Sequence, residues 1–206
     1  VLPHFPLVAP EKYRELFPLS KMPFPKRYSL AERPRHPVLE EMRRYMGAQG
    51  EFTDEEVRRA LAVYYALSSE LDDNIGRVLD ALATRGLDRA TRVIYLADHG
   101  DMIGAQGLWW KHTFYEESIG VPFIMAGPDI PAGRTVAAPV SLVDLYPTIL
   151  DCFGLEPTAA ELALPGRSLL PAARGDEALP PDRPIYAEYF AAGSVTGMYM
   201  LRRGDF

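Results

Sequence analysis

The 206-residue sequence is 48% hydrophobic and 24% charged, enough for one well-filled core and outside the composition of a globally disordered chain. Its 22 Lys and Arg against 28 Asp and Glu leave a net charge of −6, which argues against a general nucleic-acid or anionic-membrane surface. No run reaches the roughly 18 apolar residues of a membrane span, and the single cysteine, Cys152, excludes an intrachain disulfide.

Residues 1–37 are punctuated by Pro3, Pro6, Pro10, Pro18, Pro23, Pro25, Pro34 and Pro37, which predicts an extended, turning connection rather than a helix. His4 and His36 both fall in this stretch; from local sequence alone each reads as a loop histidine. Residues 53–86 give the clearest helix. Thr53 and Glu56 form a capping box, and Val57, Leu61, Tyr64, Leu67, Leu71, Ile75, Val78 and Leu82 recur at spacings of three and four. Asp72, Asp73 and Asn74 inside it read as a solvated face or a link to a neighbouring loop, not as a cation site.

Val93 to Leu96 is a β-branched and aromatic run, predicted to be a strand buried on both faces of a parallel sheet, and residues 121–126 resume that sheet. At its carboxyl end, where open α/β sheets bind ligands, stand Asp98, His99, Gly100 and Asp101, with Gly100 expected to turn through positive φ. A carboxylate beside an imidazole suits a divalent cation, the carboxylate favouring Ca²⁺ or Mg²⁺ and the imidazole moving preference toward Mn²⁺ or Zn²⁺. Lys111, and with it His112, could meet the charge of an anionic substrate, although an isolated Asp-His-Gly is more often a polar turn than a metal site. In an extended segment Lys111 and His112 would point apart, which places His112 at a pocket rim. Trp109, Trp110, Phe114 and Tyr115 read either as an aromatic wall or as loop packing.

Further on, Ser141 opens another helix containing Pro147, and Asp144 reads as a cap or loop anchor. Residues 185–190 and 198–203 read as paired strands of a small second sheet. The alternation of helix and strand predicts α/β architecture.

Taken together, Asp98-His99-Gly100-Asp101-Met102-x-Gly104, Gly107-Leu108-Trp109-Trp110-Lys111-His112-Thr113-Phe114-Tyr115-Glu116 and Val121-Pro122-Phe123-Ile124 resemble the second signature region of sulfatases in the alkaline-phosphatase superfamily. The resemblance implies that Asp98 and His99 are metal ligands, with Ca²⁺ preferred and Mg²⁺ or Mn²⁺ as alternatives, and that Lys111 contacts sulfate with His112 near it. The opening, from Val1 to Pro10, resembles the family segment in which a histidine leaves a strand before a proline-rich loop. His4 would then touch the sulfate or protonate the leaving oxygen. Many sulfatases carry Asn where His99 stands; His is found in branches that include choline-sulfatase-like enzymes and hydrolases of phosphonate monoesters and phosphodiesters.

The family nucleophile is a formylglycine made from Cys or Ser in a Cys/Ser-x-Pro-x-Arg motif. No such motif occurs here: Cys152 is followed by Phe153, Gly154, Leu155 and Glu156 and reads as a small buried hydrophobe. The resemblance therefore implies the central and carboxyl portion of a sulfatase, with formylglycine and two further metal-binding aspartates expected upstream. The implied fold is a partial alkaline-phosphatase-like parallel-sheet sandwich over residues 1–175, with a small antiparallel subdomain beginning at 176–206. The expected activity is hydrolysis of a small-molecule sulfate ester, with a phosphonate monoester or phosphodiester hydrolase, or an inert fragment, as alternatives. The chain is expected to be soluble, either cytoplasmic or periplasmic/secreted, and open to homo-oligomer formation. Its first residue is Val1 rather than Met, so a processed or missing amino terminus is expected.

Overall fold

The computed structural model describes residues 2–205; Val1 and Phe206, at the ends of the two expected domains, lie outside the described residues. The elements run α1 (Glu11–Arg14), α2 (Pro37–Tyr45), α3 (Asp54–Thr84), β1 (Val93–Leu96), α4 (Glu116–Ile119), β2 (Phe123–Ala126), α5 (Leu145–Cys152), α6 (Ala159–Leu162), α7 (Leu170–Arg174), β3 (Ile185–Tyr189) and β4 (Met198–Arg202), with 3₁₀ turns between some of them. The expected α/β class holds. Two compact units divide the chain, one of Val1–Gly86, His99–Val121 and Tyr189–Met198, the other of Leu87–Asp98, Pro122–Glu188 and Tyr199–Phe206. Among the described residues no helix is long and apolar enough to cross a membrane.

The first unit is built on α3, which starts where its sequence offers a cap. The Thr53 hydroxyl accepts from the Glu56 N–H at 3.3 Å, and the Glu56 carboxylate accepts from the Thr53 N–H at 2.8 Å. Val57, Leu61, Ala62, Ala66 and Leu67 are buried along one stripe, packing on Met22 and Ile103 in one cluster and on Ala9 and Tyr13 in another. Beyond Leu67 the predicted stripe is less well covered: Leu71, Ile75 and Leu82 are half-buried and Val78 is 62% exposed. Asp73 accepts from the Tyr13 hydroxyl at 2.7 Å, so the acidic run on α3 ties down the one-turn α1, as the reading of Asp72 to Asn74 expected.

Two local expectations are corrected in this unit. The proline-rich stretch holds a one-turn α-helix, α1, whose N-cap is Pro10, and a 3₁₀ turn at Leu19–Lys21. His36 is not an idle loop residue but the N-cap of α2: its ring accepts from the Val38 N–H at 3.3 Å, and Pro37 at the first helical position has no N–H to satisfy.

In the second unit β1 and β2 pair antiparallel, with Val93 opposite Ala126 and Leu96 opposite Phe123. The parallel pairing expected of these two strands is thus replaced by a hairpin-like arrangement, and burial on both faces by half-burial of β1 and alternation along β2. Alternation is what an antiparallel pair covered on one face produces. Because Leu96 faces Phe123, the excursion 97–122 leaves and re-enters the pair at the same end. Phe123 packs on Leu169, Ala172 and Leu179. The strands β3 and β4 pair with each other, as the sequence predicts.

Asp144 is the pin of the second unit, in the anchoring role expected of it. It is fully buried and accepts from both terminal nitrogens of Arg183, at 2.7 and 2.6 Å, and from the backbone N–H groups of Ser141 and Arg167 at 2.8 and 3.0 Å. Burial alone would raise its pKa, yet the guanidinium and the two N–H donors outweigh burial and hold the carboxyl below its ordinary value. A carboxyl depressed in the folded state adds stability above its unfolded pKa, and this stability is lost as pH falls through the folded one. Asp144→Asn should therefore destabilise the unit by about 3–5 kcal/mol near neutrality by leaving Arg183 uncompensated. In denaturant titrations at a series of pH values, the gap between parent and variant should narrow toward acid pH; a gap independent of pH would contradict this assignment.

Candidate active site

The site residues sit on the loop 99–121 and on the segment around His4. At the neck of the loop, the Gly100 N–H donates to the Ser118 carbonyl at 2.7 Å. Gly100 does not adopt the positive φ expected of it. Its role is close approach: a Cβ there would lie 2.1 Å from the Glu117 carbonyl oxygen.

Residues 102–108 are buried without forming a regular element longer than one 3₁₀ turn. Met102, Ala105 and Leu108 pack with Met42 of α2. A buried loop must find partners for its backbone groups, and here the loop supplies most of them itself. The N–H of Met102 donates to Trp110 O at 2.6 Å, that of Gly104 to Leu108 O at 2.8 Å, and that of Gln106 to Lys26 O at 2.8 Å. From α2, the buried Arg43 donates to the Gln106 carbonyl at 2.8 Å. Ile103, Gln106, Trp110 and His112 all have positive φ, of 39°, 58°, 62° and 86°. Each such residue costs on the order of 1–3 kcal/mol, and such strain persists where the surroundings over-determine it.

That strained frame sets the candidate site side chains. The ammonium of Lys111 lies 3.0 Å from Nε2 of His4, across 107 positions of sequence. Nδ1 of His4 is 2.6 Å from the carbonyl of Phe5. A carbonyl only accepts, so Nδ1 carries the proton and Nε2 presents its lone pair to Lys111. His99 repeats the pattern: its Nδ1 is 2.8 Å from the Gly100 carbonyl, which directs its Nε2 lone pair away from the backbone. The His4 and His99 rings are 6.3 Å apart, centroid to centroid.

His112 makes different partners from Lys111. Its Nδ1 is hydrogen-bonded to the Tyr189 hydroxyl, and its ring meets those of Tyr45 at 6.2 Å, Trp110 at 6.4 Å and Tyr189 at 5.6 Å. Burial, then the positive charge of Lys111 and His99, lowers its pKa and favours the neutral imidazole. Asp101 accepts from the Ile103 N–H at 3.0 Å and turns the chain into the loop. Burial raises its pKa against the pull of the Ile103 and Trp110 N–H groups and of Lys111 and His99. Asp98, the residue before His99, is exposed just past the end of β1.

His4, Lys111 and His99 thus come together, His112 faces an aromatic group, and Asp98 adjoins His99 through the chain. Sequence reasoning did not find Tyr189 as the partner of His112; the two are 77 positions apart and no local pattern links them. Among the described residues no group of three or more His, Cys, Asp and Glu side chains forms a cage for a metal ion. The donor chemistry of Asp98 and His99 nonetheless fits one: metal-bound imidazoles commonly donate their second ring N–H to a backbone carbonyl, as His99 does to Gly100.

The α/β fold and this polar cluster define a class, and comparison with known proteins gives its family. The sulfatase family model matches residues 2–155. Arylsulfatase K of Rattus norvegicus is 37% identical over 187 residues, covering 88% of this chain and 32% of that protein. Choline-sulfatase of Rhizobium meliloti (strain 1021) is 38% identical over 153 residues, covering 74% and 29%. Among solved structures, a phosphonate monoester hydrolase from Silicibacter pomeroyi superposes with a TM-score of 0.82 at 32% identity, over 98% of this chain and 44% of that one. The chain belongs to the sulfatase family, and it spans about a third of the length of these two relatives.

The Arg43 clamp can be tested apart from any activity. Arg43→Met keeps the apolar stem of the side chain and leaves the buried Gln106 carbonyl without its donor, a loss of about 1–3 kcal/mol. Amide exchange at Gly104 and Leu108 should then accelerate by about tenfold or more while the amides of Ala66 and Leu67 on α3 keep their protection. Unchanged exchange in the loop would show that Arg43 does not hold it.

Proposed function

We propose that this chain supplies the metal-side and leaving-group-side residues of a sulfuric ester hydrolase acting on small-molecule sulfate esters. The observation that carries the proposal is the Lys111 ammonium 3.0 Å from the Nε2 lone pair of His4, with the His99 ring close by. An ammonium group placed there stabilises charge on a non-bridging oxygen as the ester bond breaks. His4, whose Nε2 accepts from Lys111, is placed to take a proton from that ammonium and pass it to the departing alkoxide, leaving Lys111 neutral. Asp98 and His99 would hold a divalent cation, with Ca²⁺ preferred and Mg²⁺ or Mn²⁺ as alternatives. When bound, that ion supplies Lewis-acid polarisation of sulfate oxygen. His112, anchored by Tyr189, would line the rim. Family membership and the names of the two relatives, an arylsulfatase and a choline-sulfatase, support the sulfate ester as substrate.

The family nucleophile, formylglycine, has no Cys/Ser-x-Pro-x-Arg motif to arise from within these residues. The 206-residue chain by itself should therefore show no turnover of an aryl sulfate with Ca²⁺, Mg²⁺ or Mn²⁺. In the natural full-length protein that carries it, Lys111→Ala and His4→Ala should each lower kcat/KM by about 10²–10³. Robust turnover by the chain alone that His4→Ala abolishes would contradict the first expectation; full-length activity indifferent to both substitutions would contradict the site.

The superposition on a phosphonate monoester hydrolase favours a second reading, with phosphorus in place of sulfur. A sulfate monoester and a phosphonate monoester each carry one negative charge, so a single ammonium serves either and charge does not separate them. The relative rates of the full-length protein on an aryl sulfate and an aryl phosphonate decide between the two.

A further inference from the structure

Lys111 stands between two residues in the left-handed region, Trp110 at φ 62° and His112 at φ 86°, a conformation that bulky side chains seldom adopt. Trp110 is tied through its backbone: its N–H donates to the Asp101 carboxylate, and its carbonyl accepts from the Met102 N–H at 2.6 Å. Lys111 and His112 take part in no backbone–backbone hydrogen bond among the described residues. What ties His112 at that angle is its ring.

Three aromatic rings of the same compact unit meet the imidazole edge to face: Tyr45 of α2, Trp110 and Tyr189, with planes at 87°, 80° and 65°. Tyr189 does more than pack. Its hydroxyl has two partners, Nδ1 of His112 and, at 2.7 Å, the Ala192 carbonyl. A carbonyl only accepts and a hydroxyl carries one proton, so that proton goes to Ala192 and the oxygen accepts from a proton on Nδ1 of His112. Burial raises the pKa of Tyr189, which keeps the hydroxyl protonated as this arrangement requires. The turn after Tyr189 is in its place seated on α2: a Cβ on Gly193, at φ 78°, would lie 2.7 Å from Cδ1 of Tyr45. The helix whose Arg43 holds the Gln106 end of the loop thus also supports, through this turn, the His112 end.

We propose that Tyr189 is a positioning residue for Lys111: by accepting from Nδ1 of His112 it keeps the left-handed turn closed and the Lys111 ammonium against His4. The consequence for catalysis rests on the assignment of Lys111 and His4 to the sulfate ester. Tyr189 acts through His112 and the chain, not on the ester. Without its hydroxyl the ring contact remains, but the Nδ1 proton loses its acceptor, and the backbone of His112 relaxes toward negative φ and carries Lys111 with it. One hydrogen bond of this kind shifts such an equilibrium by about threefold to tenfold.

Tyr189→Phe removes the hydroxyl and keeps the ring. In imidazole ¹H–¹⁵N spectra of the 206-residue chain, His112 should be the Nδ1–H form in the parent. In Tyr189→Phe the His4 Nε2 resonance should move about halfway or more to its place in Lys111→Met, while the amides of Ala66 and Leu67 on α3 stay where they were. A second pair of variants approaches the bond from the other side. His112→Asn offers an amide donor in place of Nδ1–H and tolerates positive φ, so the His4 resonance should stay near the parent's; His112→Leu has no donor and should move it as Tyr189→Phe does. In the natural full-length protein, Tyr189→Phe should lower kcat on an aryl sulfate by about threefold to tenfold with KM within about twofold, because the ammonium is needed where charge develops. An Nε2–H form of His112 in the parent, or a His4 resonance unmoved by both Tyr189→Phe and His112→Leu, would overturn the proposal. So would a full-length kcat indifferent to Tyr189→Phe when Lys111→Ala disables the protein. Activity indifferent to Lys111→Ala as well would instead remove the ester assignment, and the spectra alone would then decide whether Tyr189 positions Lys111.

Discussion

The site depends on a loop that has been made part of the core. Residues 102–108 are buried, and a loop in that position is tolerable only if its carbonyl and amide groups are matched. The guanidinium of Arg43 does part of this from α2, while Gly107 admits Arg33 so closely that a Cβ there would lie 2.2 Å from its Nε. Arg33 in turn donates to the carbonyls of Tyr28 and Gly50, at 2.8 and 3.0 Å. Two arginines from outside the loop thus fix its path, and the positive φ values at Ile103, Gln106, Trp110 and His112 are sustained by that fixation. Lys111 inherits its position from this frame, which is why its ammonium can stand against a histidine more than a hundred residues away in sequence.

The chemistry proposed for the cluster follows from where two protons lie. Each of His4 and His99 sends Nδ1 to the carbonyl of the next residue, so both rings are oriented by their own backbone before any ligand arrives. Orientation of this kind lowers the reorganisation needed when charge develops, the main advantage a folded site has over solvent. It also separates two proposed roles: the His4 lone pair meets an ammonium, and His99 would meet a cation together with Asp98.

Local physics was legible in the sequence, and long-range pairing was not. The start of α3 was readable because Thr53 and Glu56 satisfy each other's backbone groups within four residues, and the stripe from Val57 to Leu67 because helical period is a local property. The same period continues to Val78, where burial fails among the described residues, since periodicity states which face could be covered and not what covers it. The direction of β2 against β1 was misread because two four-residue strands give no signal of their partner's sense. His36 was underestimated although Pro37, the residue that makes it a cap, stood beside it. The cluster of His4, Lys111 and His99 was named from family resemblance; spacing alone favoured a polar turn and a loop histidine. Which tryptophan meets Phe5 and which meets Phe52 was beyond the sequence, because those two residues approach the loop from distant segments.

The most direct test of the central claim is the tautomer of the two histidines. Long-range ¹H–¹⁵N correlation spectra of the imidazoles in the 206-residue chain, recorded where both rings are neutral, distinguish a protonated Nδ1 from a protonated Nε2. The account predicts the Nδ1–H form for His4 and for His99, with the His4 Nε2 signal displaced when Lys111 is replaced by methionine. An Nε2–H form at either residue would turn the lone pair away from Lys111 or from the cation, and the proposed division of labour could not stand.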